Sequence, residues 1–132
     1  MRALTRYFPQ IYLIANSIVY GVLVVLFVTD ANTWFANLEI LPRSPVGLAE
    51  LKTMYIGLMA AIGVFSILSA LFNSLRLAGL IFALISYSML AGVRSYGIFV
   101  DGVSSELMAL LLSVEIMSAL LALLALFFKS SR

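Results

Sequence analysis

The sequence predicts an all-α protein: a four-transmembrane-helix bundle with both termini in the cytoplasm. Three observations predict it. Hydrophobic residues make up 64% of the 132-residue chain and charged residues 11%, with a mean hydropathy of +1.14. A soluble domain is nearer half apolar and about a quarter charged, and a chain of this length has too small an interior to bury the excess. Four apolar runs each approach the ~20 residues that a helix needs to cross the hydrocarbon core. The basic residues, finally, gather in the segments that an even number of spans places on one side of a membrane.

The first run, residues 8–29, is too long for a signal-peptide core, and no small-residue cleavage pattern follows it. It reads as a retained helix, in which Asn16 and Tyr12 are candidates for hydrogen bonds between helices. The connection DANTWFANLEILPRSPVG comes next. Its middle alternates apolar and polar residues beside Trp34 and Phe35, which suits a short segment at the headgroup level, where aromatic side chains collect. A lid over a cavity is the alternative. Pro42 and Pro45 punctuate the chain before the second run, residues 48–72. The third run covers 75–96 and the fourth 106–128. Runs this long and rich in Leu and Ala read as helices rather than barrel strands. No repeat is visible, and one domain, 1–132, is expected.

Arg2, Arg6, Arg76, Lys129 and Arg132 fall at the N-terminus, the second connection and the C-terminus. Asp30, Glu39, Asp101 and Glu106 fall in the first and third connections, with Arg43 the one basic residue there. The preference of basic loops for the cytoplasm then places both termini inside.

Composition also excludes chemistry. The chain has no Cys and no His, which removes disulfides, thiolate and imidazole metal sites, His-ligated haem and the usual base of a hydrolase triad. No metal and no cofactor is expected, and no basic patch suggests nucleic acid.

Ionisable groups at bilayer depth cost roughly 2.5–3.5 kcal/mol each on insertion scales and so need a partner or a purpose. Glu50, Lys52, Arg94 and Glu115 are such groups. A rise of ~1.5 Å per residue puts all four in the outer half of the membrane. Tyr87, Leu90, Ala91, Arg94 and Gly97 share one side of the third helix; Glu115, Ser118, Ala119 and Ala122 share one side of the fourth. Glu50, Met54, Gly57 and Ala61 align on the second, with Gly57 and Ala61 at the small-xxx-small spacing of close helix packing. Glu50, Arg94 and Glu115 are therefore expected to face inward and meet. Arg94 suits bidentate binding of a carboxylate. One Arg between two acids leaves an excess negative charge unless Lys52 joins or one Glu, Glu115 being the deepest, is protonated. Tyr55, Tyr87, Ser86 and Ser118 are the candidates for further hydrogen bonds. The cluster reads either as a clasp that fixes helix register or as the wall of a pocket.

Two stretches, AELKTMYIGLMAAIG at 49–63 and GVRSYGIFVDG at 92–102, together with Glu115, resemble an uncharacterised bacterial family of small four-helix membrane proteins. In that family a Glu opens the second helix ahead of a Tyr-Gly-Gly element, an Arg near the end of the third leads to an Asp-Gly turn, and the fourth carries a Glu. The resemblance extends over essentially the whole chain and marks Glu50, Tyr55 and Gly57, then Arg94, Asp101 and Gly102, then Glu115. Ile56 departs from it, standing where the family has its first Gly. The resemblance implies a fold and a set of positions but no activity.

Three function classes remain. A non-catalytic membrane module would bind a lipid-like or small apolar ligand, or scaffold a partner membrane protein. A homodimeric proton-coupled transporter would use Glu115, although small exporters of that kind carry their acid in the first helix, which here has no charge between Gln10 and Thr29. An enzyme would have to work with carboxylates, Tyr, or a Ser activated by Lys52, and no spacing singles out such a pair. The first class fits best.

Overall fold

The computed structural model describes residues 2–103 and 105–130, with side chains for 6–103 and 105–129. Among the described residues every regular element is helical, as the sequence predicts: α1 (Arg2–Thr29), α2 (Ala31–Asn37), α3 (Pro45–Lys52), a π-helical segment (Thr53–Leu58), α4 (Met59–Leu71), α5 (Asn73–Phe99) and α6 (Glu106–Ser130). Four stretches are long and apolar enough to cross a membrane: Arg6–Thr29, Pro45–Leu71, Asn73–Phe99 and Glu106–Lys129. They match the four apolar runs to within three residues at each end, and the second stops at Leu71, one residue before the expected end at Phe72. Between 17% and 28% of the most apolar window of each is buried, so most of each window is exposed or only partly covered.

Contacts divide the chain into two compact units, one formed by residues 14–68 and the other by residues up to Leu13 with those from Ser69 onward. In the 14–68 unit, Asp30 caps α2, its carboxylate accepting from the Thr33 N–H at 3.1 Å. The far end of α2 closes with the Ile40 N–H donating to the Phe35 carbonyl and the Glu39 N–H to that of Ala36. This is a Schellman arrangement, which places its αL residue where Gly is usual. Here that residue is Glu39, at φ 58°. Ser44 caps α3 by accepting from the Gly47 N–H, and Pro45 opens the helix, where its missing N–H leaves nothing unpaired.

The core of this unit is aromatic. Phe27, Ala31 and Phe35 are buried, and Trp34, Leu38, Ile40, Leu48, Leu51, Tyr55 and Ile56 pack against them. The Tyr55 ring sits 5.0 Å from that of Phe27 and 5.3 Å, edge-on, from that of Phe35. Away from this core, Asn16 Nδ2 donates to Ser66 Oγ at 2.8 Å, joining α1 to α4 through a buried bond.

In the other unit, Phe72 breaks α4 from α5 with extended backbone. Arg76 braces the corner, donating to the Asn73 side chain at 2.6 Å and the Ala70 carbonyl at 2.8 Å. Gly79 is required here: a Cβ on it would collide with the Cβ and Oγ of Ser69. Helices α5 and α6 form a hairpin whose buried positions include Leu80, Ala83, Tyr87, Ala122 and Ala125. Gly102, at φ 70°, turns the chain between them.

Candidate functional site

Arg94 lies on α5 two turns beyond Tyr87, and Glu115 lies on α6 one turn before Ser118 and Ala119. The hairpin turns the two faces toward each other. Arg94 Nε donates to Glu115 Oε2 at 2.9 Å and Nη2 to Oε1 at 2.7 Å. This is the bidentate fork that guanidinium and carboxylate planes allow. Glu115 is only 7% exposed, so removal from solvent raises the cost of leaving either charge unmatched.

The remaining contacts extend the clasp. Arg94 Nη1 donates to Met108 Sδ at 3.0 Å, and the Tyr12 hydroxyl donates to the Ser118 carbonyl at 3.1 Å, tying α1 to α6. Met108 was not singled out by the sequence reading. It stands seven residues before Glu115 and thus on the same helix face, the signal that would have found it. Tyr87 and Ala122 are buried and Ala91 and Ala119 half-buried, as the face reading of α5 and α6 requires, whereas Leu90 is exposed.

The second long helix differs from expectation. Glu50, Lys52, Met54, Gly57 and Ala61 are all exposed, while Gly63, Ser66, Ser69 and Ala70 are buried. The side expected to face inward faces outward. The cause is chemical: Ser66 turns inward because Asn16 meets it there. The π segment also inserts an extra residue into the turn, so α3 and α4 do not keep the common phase that a uniform 3.6-residue repeat gives. Glu50 and Lys52 make no ion pair among the described residues. Tyr55, expected to supply a hydrogen bond, instead contributes its ring to the aromatic core. Asp101 is exposed, and the turn it enters is held by backbone bonds from Val100 and Asp101 to Tyr96 and from Val103 to Gly97.

At the tip of the α5–α6 hairpin an open depression of about 410 Å³ is lined by Ile98, Gly102, Val103, Ser105, Glu106 and Ala109. Its lining is mainly apolar, with one carboxylate. Among the described residues no group of three acidic side chains gathers as a metal site. The arrangement therefore offers a neutralised charge pair within a helix hairpin, an amphipathic depression at its tip, and two unpaired charges on α3. Comparison of the chain with family models, with curated proteins and with solved structures gave no match.

Proposed function

We propose that the protein is a non-catalytic, multi-pass component of a bacterial inner membrane, with cytoplasmic termini, that binds a lipid-like or small apolar molecule. The observation that supports this most is the pairing of the buried Glu115 with the half-buried Arg94. With Arg94 closed on Glu115, we assign the ligand to the open depression at the hairpin tip. Its apolar walls and single Glu106 carboxylate suit an amphiphile. The same pairing disfavours a transporter in which Glu115 exchanges protons with a substrate, since both its oxygens are engaged. The likeness to small bacterial four-helix membrane proteins belongs with this reading.

Scaffolding of a partner membrane protein is the second reading, favoured by Glu50 and Lys52, which are exposed and unpaired on a helix without a buried residue. Mass spectrometry of the purified protein separates the two. Ala109→Trp fills the depression and is expected to abolish a copurified lipid-like molecule while leaving the melting temperature unchanged. Retention of that molecule in Ala109→Trp contradicts ligand binding at the tip. Loss of a copurifying protein in a Glu50→Lys, Lys52→Glu double variant establishes scaffolding instead. Proton-driven uptake in proteoliposomes that disappears in Glu115→Gln overturns both.

A further inference from the structure

The π segment Thr53–Leu58 plays no part in the clasp or the depression, and it requires an explanation. A π turn holds one residue more than an α turn and is uncommon in regular helices. Relative to α4, it offsets α3 by one residue's angular step, about 100° at 3.6 residues per turn. In an uninterrupted α-helix, Glu50, Met54, Gly57, Ala61 and Leu68 would fall along one stripe. In the structure the α3 part of that stripe is displaced around the helix from the α4 part.

Little resists a return to the α register. Neither α3 nor the π segment has a buried residue. Apart from its chain neighbours and its own helix backbone, no atom lies within 4 Å of where a Cβ on Gly57 would be. The connection between the core-packed Ile40 and α3, residues 41–44, is not helical. What favours the π register is the packing of the α3 side: Leu48, Leu51 and above all Tyr55, whose ring contacts both Phe27 and Phe35.

We propose that Thr53–Leu58 is a register switch with Tyr55 as its latch. With Tyr55 seated in the aromatic core, the segment is π-helical and α3 faces as observed. When Tyr55 leaves, the segment becomes α-helical and α3 turns about its axis, carrying Glu50 and Lys52 with it. An event at the aromatic core is thereby coupled to the direction in which two charges point. The proposal is independent of any ligand at the hairpin tip.

The chain has no Cys and a single Trp, Trp34, which packs on the same core as Leu51. A bimane fluorophore on Leu51→Cys therefore reports contact with Trp34, which quenches it, and Trp34→Phe identifies the quencher. The expected result is a main quenched population and a minor unquenched one in the full-length protein. Tyr55→Ala is expected to raise the unquenched-to-quenched ratio about tenfold, the scale of losing two aromatic contacts, whereas Tyr55→Phe leaves it unchanged. Deleting Met54 removes the extra residue, so the helix becomes α-helical with α3 in its observed orientation. That variant is expected to stay quenched and to lose the minor population. An unchanged ratio in a folded Tyr55→Ala variant overturns the proposal. So does a minor population that persists after Met54 is deleted, an arm that decides the matter even if Tyr55→Ala does not fold.

Discussion

The α5–α6 hairpin and the aromatic core around Phe35 organise helices by opposite means. The hairpin adds to its packed apolar positions one ion pair, made by two side chains in a single bidentate geometry. The aromatic core relies on many weak contacts among Phe27, Trp34, Phe35 and Tyr55. A charge pair in a poorly solvated place fails abruptly, because losing one member leaves the other unmatched. An apolar cluster fails by degrees, each truncation leaving a cavity that neighbours partly refill. The hairpin should therefore be sensitive to the identity of its residues, the core to their volume.

Breaking the clasp is the largest expected perturbation. Arg94→Met alone is expected to lower stability to unfolding in mild detergent by about 3–5 kcal/mol. In the core, Phe35→Ala is expected to cost about 3 kcal/mol, since Phe35 is 1% exposed and holds the centre of the cluster. A smaller loss, about 1–3 kcal/mol, is expected for Gly79→Ala, which forces Ser69 from its place at the α4–α5 corner; thermal unfolding measures both.

The smallest effect lies at the cap of α2. Hydrogen bonds from Thr33, through its side chain first and then its backbone, hold the Asp30 carboxyl below its ordinary range. A depressed carboxylate stabilises the fold above its unfolded-state pKa and loses that contribution as pH falls through the folded-state value. The Thr33 amide resonance is thus expected to titrate below the usual Asp range, and the transition to vanish in Asp30→Asn.

The clasp was legible in the sequence because helical periodicity alone decides it. Tyr87, Ala91 and Arg94 on one helix, and Glu115, Ser118 and Ala122 on the next, mark faces that a short hairpin must oppose. Glu50 was not legible by the same rule. The small-residue spacing that aligned Glu50 with Gly57 and Ala61 runs along the exposed side, while Gly63, Ser66, Ser69 and Ala70 are the buried positions; TMYIGL, moreover, has nothing in its composition that distinguishes a π turn from an α turn. Tyr55 was misread for a different reason. Its hydroxyl suggested a polar role, while the partners that claim its ring, Phe27 and Phe35, stand 28 and 20 residues earlier in the chain, where no local pattern points to them. Asn16 was readable as an interhelical donor, but its partner Ser66 was not, since serines occur throughout the long helices.

The central claim, that Arg94 and Glu115 exist for each other, is tested most directly by a double-mutant cycle. Unfolding free energies are compared for the wild type, Arg94→Met, Glu115→Leu and the two combined. Each single variant is expected to be less stable than the double one, giving a coupling of about 3 kcal/mol or more between the positions, because the double variant leaves no unmatched charge. Additive losses, or a neutral Glu115→Leu in an otherwise intact hairpin, would contradict the account.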